Sequence, residues 1–71
     1  MPKHLRTVRD VIAALGGTSR VAELTGTRYT AAHNWHGDGF PARTYVVLMR
    51  ELEARGLTAD PELWGMTTGG R

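Results

Sequence analysis

The sequence predicts an all-α fold, a compact bundle of four helices with a short C-terminal fifth, and three observations carry that prediction. Apolar residues recur at three and four positions in two stretches, Val8, Val11, Ile12 and Leu15, then Tyr45, Leu48, Met49 and Leu52. That is the spacing of a helix face turned to a core. Between them, Thr18 to His36 reads as two short helices broken at Gly26. Helix-start residues (Thr7, Thr18 or Ser19, Pro41, Asp60-Pro61) and helix-stop glycines (Gly16, Gly26, Gly56) punctuate these stretches where each helix must begin or end.

Met1 to Arg6 has no periodicity and is expected to be loose. Thr7 caps a helix from Val8 to Leu15, with Asp10 as a shorter version of the capping-box acid, and Gly16-Gly17 ends it. Thr18 or Ser19 is the expected cap of the second helix. In that helix Val21 and Leu24 share a face, and Ala22 is small enough for another helix to cross closely. Gly26 stops it, because a sharp turn needs a residue that takes positive φ without a Cβ penalty. After Thr27 the chain restarts with Ala32 and Trp35 three apart, leaving Arg28, Tyr29, Thr30, His33 and Asn34 on the remaining surface as a row of donors and acceptors. Gly37 to Phe40 reads as a turn with Phe40 anchored in the core. A fourth helix is expected from about Pro41 to Arg55, with Val46 and Val47 flanking its buried stripe and one of the two on the surface. Leu57 to Ala59 is a linker, and Asp60-Pro61-Glu62 starts a short apolar flap of Leu63, Trp64 and Met66 that folds back on the core edge or docks a second subunit. Residues 1–66 thus form one domain, and 67–71 are expected to be a disordered tail.

The stretch from Thr18 to His36 resembles the helix-turn-helix of Cro-like and repressor-like DNA-binding proteins, including their YdaS-like branch. The residues carrying the likeness are Ala22 four before the turn glycine Gly26, and Val21, Ala32 and Trp35 in phase with them. Thr27 stands where many members have valine. The resemblance implies that the second helix lies in the major groove of double-stranded DNA while the first crosses the backbone. It further implies base contacts from Tyr29, Thr30, His33 and Asn34, and phosphate contacts from Ser19, Arg20 and Arg28. A Cro-like repressor acting by operator occupancy is the function it implies. Such a protein binds two half-sites as a homodimer, here through Leu63, Trp64 or the outer face of helix four. The alternative on the same scaffold is a protein-binding adaptor or a toxin–antitoxin component. A non-specific nucleoid-type binder is a third reading, told apart by competition with bulk DNA.

Size and composition narrow the classes further. A chain of 71 residues buries only about 60% of the surface it exposes when unfolded, so self-association would help it. No cysteine is present to form a disulfide or a thiolate zinc site. The net charge of +2 is modest. Its distribution is uneven: Lys3, Arg6, Arg9 and Arg20 face only Asp10 in the first twenty residues, whereas the last third is slightly acidic. No apolar run approaches the ~18 residues of a membrane span, and no signal-like apolar region follows the basic start, so the expected location is cytoplasmic. His33, His36 and Asp38 invite a metal reading, but zinc takes three or four protein ligands and no further clustered His or Cys exists, so neither a metal nor a cofactor is expected. Ser19 has no histidine partner in any catalytic pattern, no phosphate-binding glycine loop is present, and the chain is not expected to be an enzyme.

Overall fold

The computed structural model describes residues 3–65; the expected tail 67–71 and Met66 of the flap lie outside them. In chain order it contains β1 (Lys3–Leu5), α1 (Val8–Ala14), α2 (Thr18–Thr25), α3 (Tyr29–Asp38), a 3-10 turn (Ala42–Thr44), α4 (Tyr45–Ala54), β2 (Leu57–Ala59) and a second 3-10 turn (Pro61–Trp64). The fold is therefore mostly helical but not all-α. β1 and β2 form a two-stranded parallel sheet in which Lys3 pairs with Leu57, His4 with Thr58 and Leu5 with Ala59. The first strand lies within the segment expected to be loose, and the second is the segment expected to be a linker. Leu5 and Ala59 are buried at the paired end, and His4 Nδ1 and Thr58 Oγ1 lie 3.0 Å apart on the other face. The short apolar fifth element is a 3-10 turn, started by Asp60, whose carboxylate accepts the Glu62 N–H at 3.0 Å.

The helix ends follow from their caps. Thr7 accepts the Asp10 N–H at 3.0 Å and starts α1 as its position predicts. α2 departs from expectation: Gly17, at φ 105°, is its cap residue, and Thr18 and Ser19 lie inside the helix, so no side chain caps its first turn. Gly26 closes α2 in the left-handed conformation (φ 66°, ψ 32°), and the Thr27 N–H reaches back to the Ala22 carbonyl at 2.9 Å. That long backward bond satisfies a carbonyl the ended helix would otherwise orphan. Gly37 and Asp38 belong to α3 and not to a turn; the chain turns at Gly39, φ 84°. Pro41 precedes the 3-10 turn in extended conformation (ψ 144°) instead of opening α4, so the fourth helix starts later than expected and ends before Gly56.

The core draws on all four helices, both strands and the second 3-10 turn. Val11, Ile12 and Leu15 of α1, Val21 and Ala22 of α2, Ala32 and Trp35 of α3, and Leu48 and Leu52 of α4 are buried together with Leu5, Phe40, Ala59 and Trp64. Leu24, expected beside Val21, is only partly buried. Phe40 sits between two indoles: its ring centroid is 5.8 Å from Trp35, edge-on, and 4.9 Å from Trp64, stacked. Trp64 also meets Tyr45 edge-on at 5.2 Å. The flap thus folds back onto the core. Val46 and Val47 are both exposed, by 59% and 38%, where only one was expected outside. No helix among the described residues is long and apolar enough to cross a membrane.

Candidate nucleic-acid interface

α3 is held by its apolar side. Ala32 is fully buried and Trp35 retains 6% of its surface, which fixes the rotation of the helix about its own axis. With 3.6 residues per turn, Tyr29, Thr30, His33 and Asn34 must then face outward, and all four are exposed, as are His36 and Asp38. Tyr29 is the largest of them at 53% exposure. Its ring stacks on His33 at 6.1 Å with planes 10° apart, and His33 lies 5.7 Å from His36 at 56°. A row of three rings therefore runs along the helix, with Thr30 and Asn34 also on the exposed surface. His33 and His36 do approach each other, but among the described residues no group of three His, Cys, Asp or Glu converges to hold a metal ion.

Cations stand at the edges of this row. Arg28 is the residue immediately before α3, exposed, in extended conformation, and makes no side-chain cap bond, so the first amides of α3 are left without a side-chain partner. Those amides and the helix dipole favour an anion there. At the start of α2, Ser19 and Arg20 are exposed, and the absence of a side-chain cap leaves its first-turn amides open in the same way. Arg20 pairs with Glu23 at 3.1 Å, but both side chains are largely in solvent (51% and 71%), where such a pair is weak and easily exchanged. The Thr18 hydroxyl meets His36 Nε2 at 3.5 Å, which ties the first turn of α2 to the last turn of α3.

Two of these features were not visible in the linear pattern. Arg43 donates to the Thr27 hydroxyl at 3.4 Å and so adds a guanidinium beside the α2–α3 connection. The Thr18–His36 contact spans eighteen residues, and no spacing rule links them. A groove of about 370 Å³ lies elsewhere, lined by Lys3, Leu5, Asp10, Ala13, Ala14 and Leu57, and shares no residue with the α3 row. No family model matches the chain, and neither a curated protein nor a solved structure matches it.

Proposed function

We propose that this chain is a sequence-specific DNA-binding transcriptional regulator in which α2 and α3 act as a helix-turn-helix, and that it represses by occupying an operator. The observation that carries the reading is the division of α3: Ala32 and Trp35 are buried, while Tyr29, Thr30, His33 and Asn34 are all exposed. A helix with its side chains is about 10–12 Å across and a major groove about 12 Å wide, so the ten-residue α3, about 15 Å long, can lie in the groove with one exposed face toward base edges. In that pose Asn34 offers a bidentate amide to adenine, and Tyr29 and Thr30 offer apolar and hydroxyl contacts to thymine and its neighbours. Arg28 and the uncapped start of α2, with Ser19 and Arg20, supply phosphate contacts. Arg43 joins them from beside Thr27.

A palindromic operator requires two copies to meet. Trp64, with 3% of its surface exposed, is taken up inside its own chain, which leaves half-buried Leu63 as the dimer candidate of the C-terminal segment. The exposed Val46 and Val47 favour a second reading, a protein-binding adaptor or toxin–antitoxin component on this scaffold. Selection of bound sites from a random duplex library at two salt concentrations, with the solution mass recorded, separates the two. A recovered motif whose binding weakens with salt supports the regulator. Recovery of no motif, with binding indifferent to salt or absent, overturns it.

A further inference from the structure

The outer face of α4, with the 3-10 turn that leads into it, combines two exposed valines with an arginine on either side. Arg43, Val46, Val47 and Arg50 are all exposed and follow one another at i, i+3, i+4 and i+7. Val46, Val47 and Arg50 share one side of α4, and Arg43 stands about one turn before Val46 in the 3-10 turn that runs without a break into the helix. Among the described residues neither Arg43 nor Arg50 is in a salt bridge, whereas the nearby Glu51 is engaged by Arg55 at 2.9 Å. Arg43 uses one donor on Thr27, and a guanidinium has five.

A second copy is a poor occupant of this stripe. A two-fold axis perpendicular to α4 sets Arg43 against Arg50 of the other copy, and an axis parallel to α4 sets each arginine against itself. Either arrangement brings like charges together around a small apolar centre, and like-charge juxtaposition at an interface disfavours association. An acid-bearing partner has the opposite balance. We propose that the α4 stripe is a docking surface for an acidic amphipathic helix of another protein, one that places two aliphatic residues on Val46 and Val47 and a carboxylate one turn to either side, on Arg43 and Arg50. The partner's pattern is acid, two spacers, two apolar residues, two spacers, acid, the helix-on-helix counterpart of the stripe. The inference shares Arg43 with the proposed DNA interface but otherwise uses α4 and not α3, so the two are told apart at Val46, Val47 and Arg50.

The test uses the full chain and two side-chain-stapled helical peptides. One carries Glu, Leu, Leu and Glu at i, i+3, i+4 and i+7, and the other has Lys in place of both Glu. Binding is followed by backbone amide shifts. The expected result is that the acidic peptide alone binds, shifts the amides of Val46, Val47 and Arg50, and weakens with salt. Arg50→Glu should weaken it about tenfold and admit the Lys peptide instead. Val46→Ser with Val47→Ser should abolish binding while the rest of the amide spectrum stays in place, which separates a lost surface from a lost fold. The proposal is overturned if neither peptide binds, if both bind alike, or if the shifts map to α3. A solution dimer that the double valine variant dissociates also overturns it, in favour of a second copy.

Discussion

The Thr44 hydroxyl accepts the Trp64 indole N–H at 3.0 Å and donates to the Pro41 carbonyl at 2.8 Å, so one buried oxygen satisfies two groups of the aromatic cluster. Thr44 is 2% exposed and Trp64 3%, and neither polar atom has water as a fallback. Replacing Thr44 by Val keeps the shape and removes the hydroxyl, leaving the indole N–H buried without an acceptor. The expected loss is about 1–3 kcal/mol of unfolding free energy, the penalty for an orphaned buried donor. Thr44→Ser keeps the hydroxyl and should lose only about 0.8 kcal/mol for the missing methyl. Urea unfolding followed by tryptophan fluorescence measures both. A Val variant as stable as the Ser variant would mean that the indole N–H finds another partner. The threonine itself carries no signal in the sequence, because its burial depends on Trp64, twenty residues away.

At the level of elements, two glycines end helices in different ways and should respond differently to substitution. Gly26 is in the left-handed region with open space where a Cβ would go, so Gly26→Ala pays only the backbone cost, about 1–2 kcal/mol, and Gly26→Asn should recover part of it. Gly39 has φ 84° with ψ 170°, a region essentially restricted to glycine, and a Cβ there would stand 3.2 Å from the Leu63 carbonyl oxygen. Gly39→Ala should therefore cost more than Gly26→Ala, and Asn should give no relief. Thermal unfolding of the four variants orders them, and equal losses for the two Ala variants would refute the distinction. Caps divide in the same way. Thr7→Ala should lose about 1 kcal/mol because its hydroxyl holds the Asp10 amide, whereas Ser19→Ala, in a helix whose cap is Gly17, should change stability little. The helices were legible because Val11, Ile12 and Leu15, or Leu48 and Leu52, repeat at the helical period and because Gly26 is the only residue type at ease in its turn. The strands were not. Three residues such as Lys3-His4-Leu5 are too few to show alternation, and their partner lies 54 residues away, so only the folded chain pairs them. The site divides similarly: the exposed row on α3 follows from the phase of Ala32 and Trp35, while Arg43 beside Thr27 is a tertiary placement.

For the molecule as a whole, the net charge of +2 is too small to bind DNA by bulk attraction, so any affinity must come from where the cations stand. Arg28 is exposed at the start of α3, and a phosphate there releases about one condensed counterion. Arg28→Ala should therefore weaken binding to all sequences alike and reduce the slope of log K against log salt by about one unit. Arg20→Ala should do the same, since its pair with Glu23 lies in solvent and is weak enough to be exchanged for a phosphate. Glu23→Gln removes that competing carboxylate and one repulsive charge, and should tighten binding without altering the preferred sequence. Tyr29→Ala is expected to behave differently: it removes a contact on the α3 row without removing charge, so the salt slope stays and the sequence preference changes. Salt titrations of the four variants on a selected site and on bulk DNA distinguish these effects. If Tyr29→Ala lowers the slope while Arg28→Ala alters preference, the row and its cations have been given each other's roles. If no variant changes either quantity while all remain folded, α3 is not the surface that meets DNA.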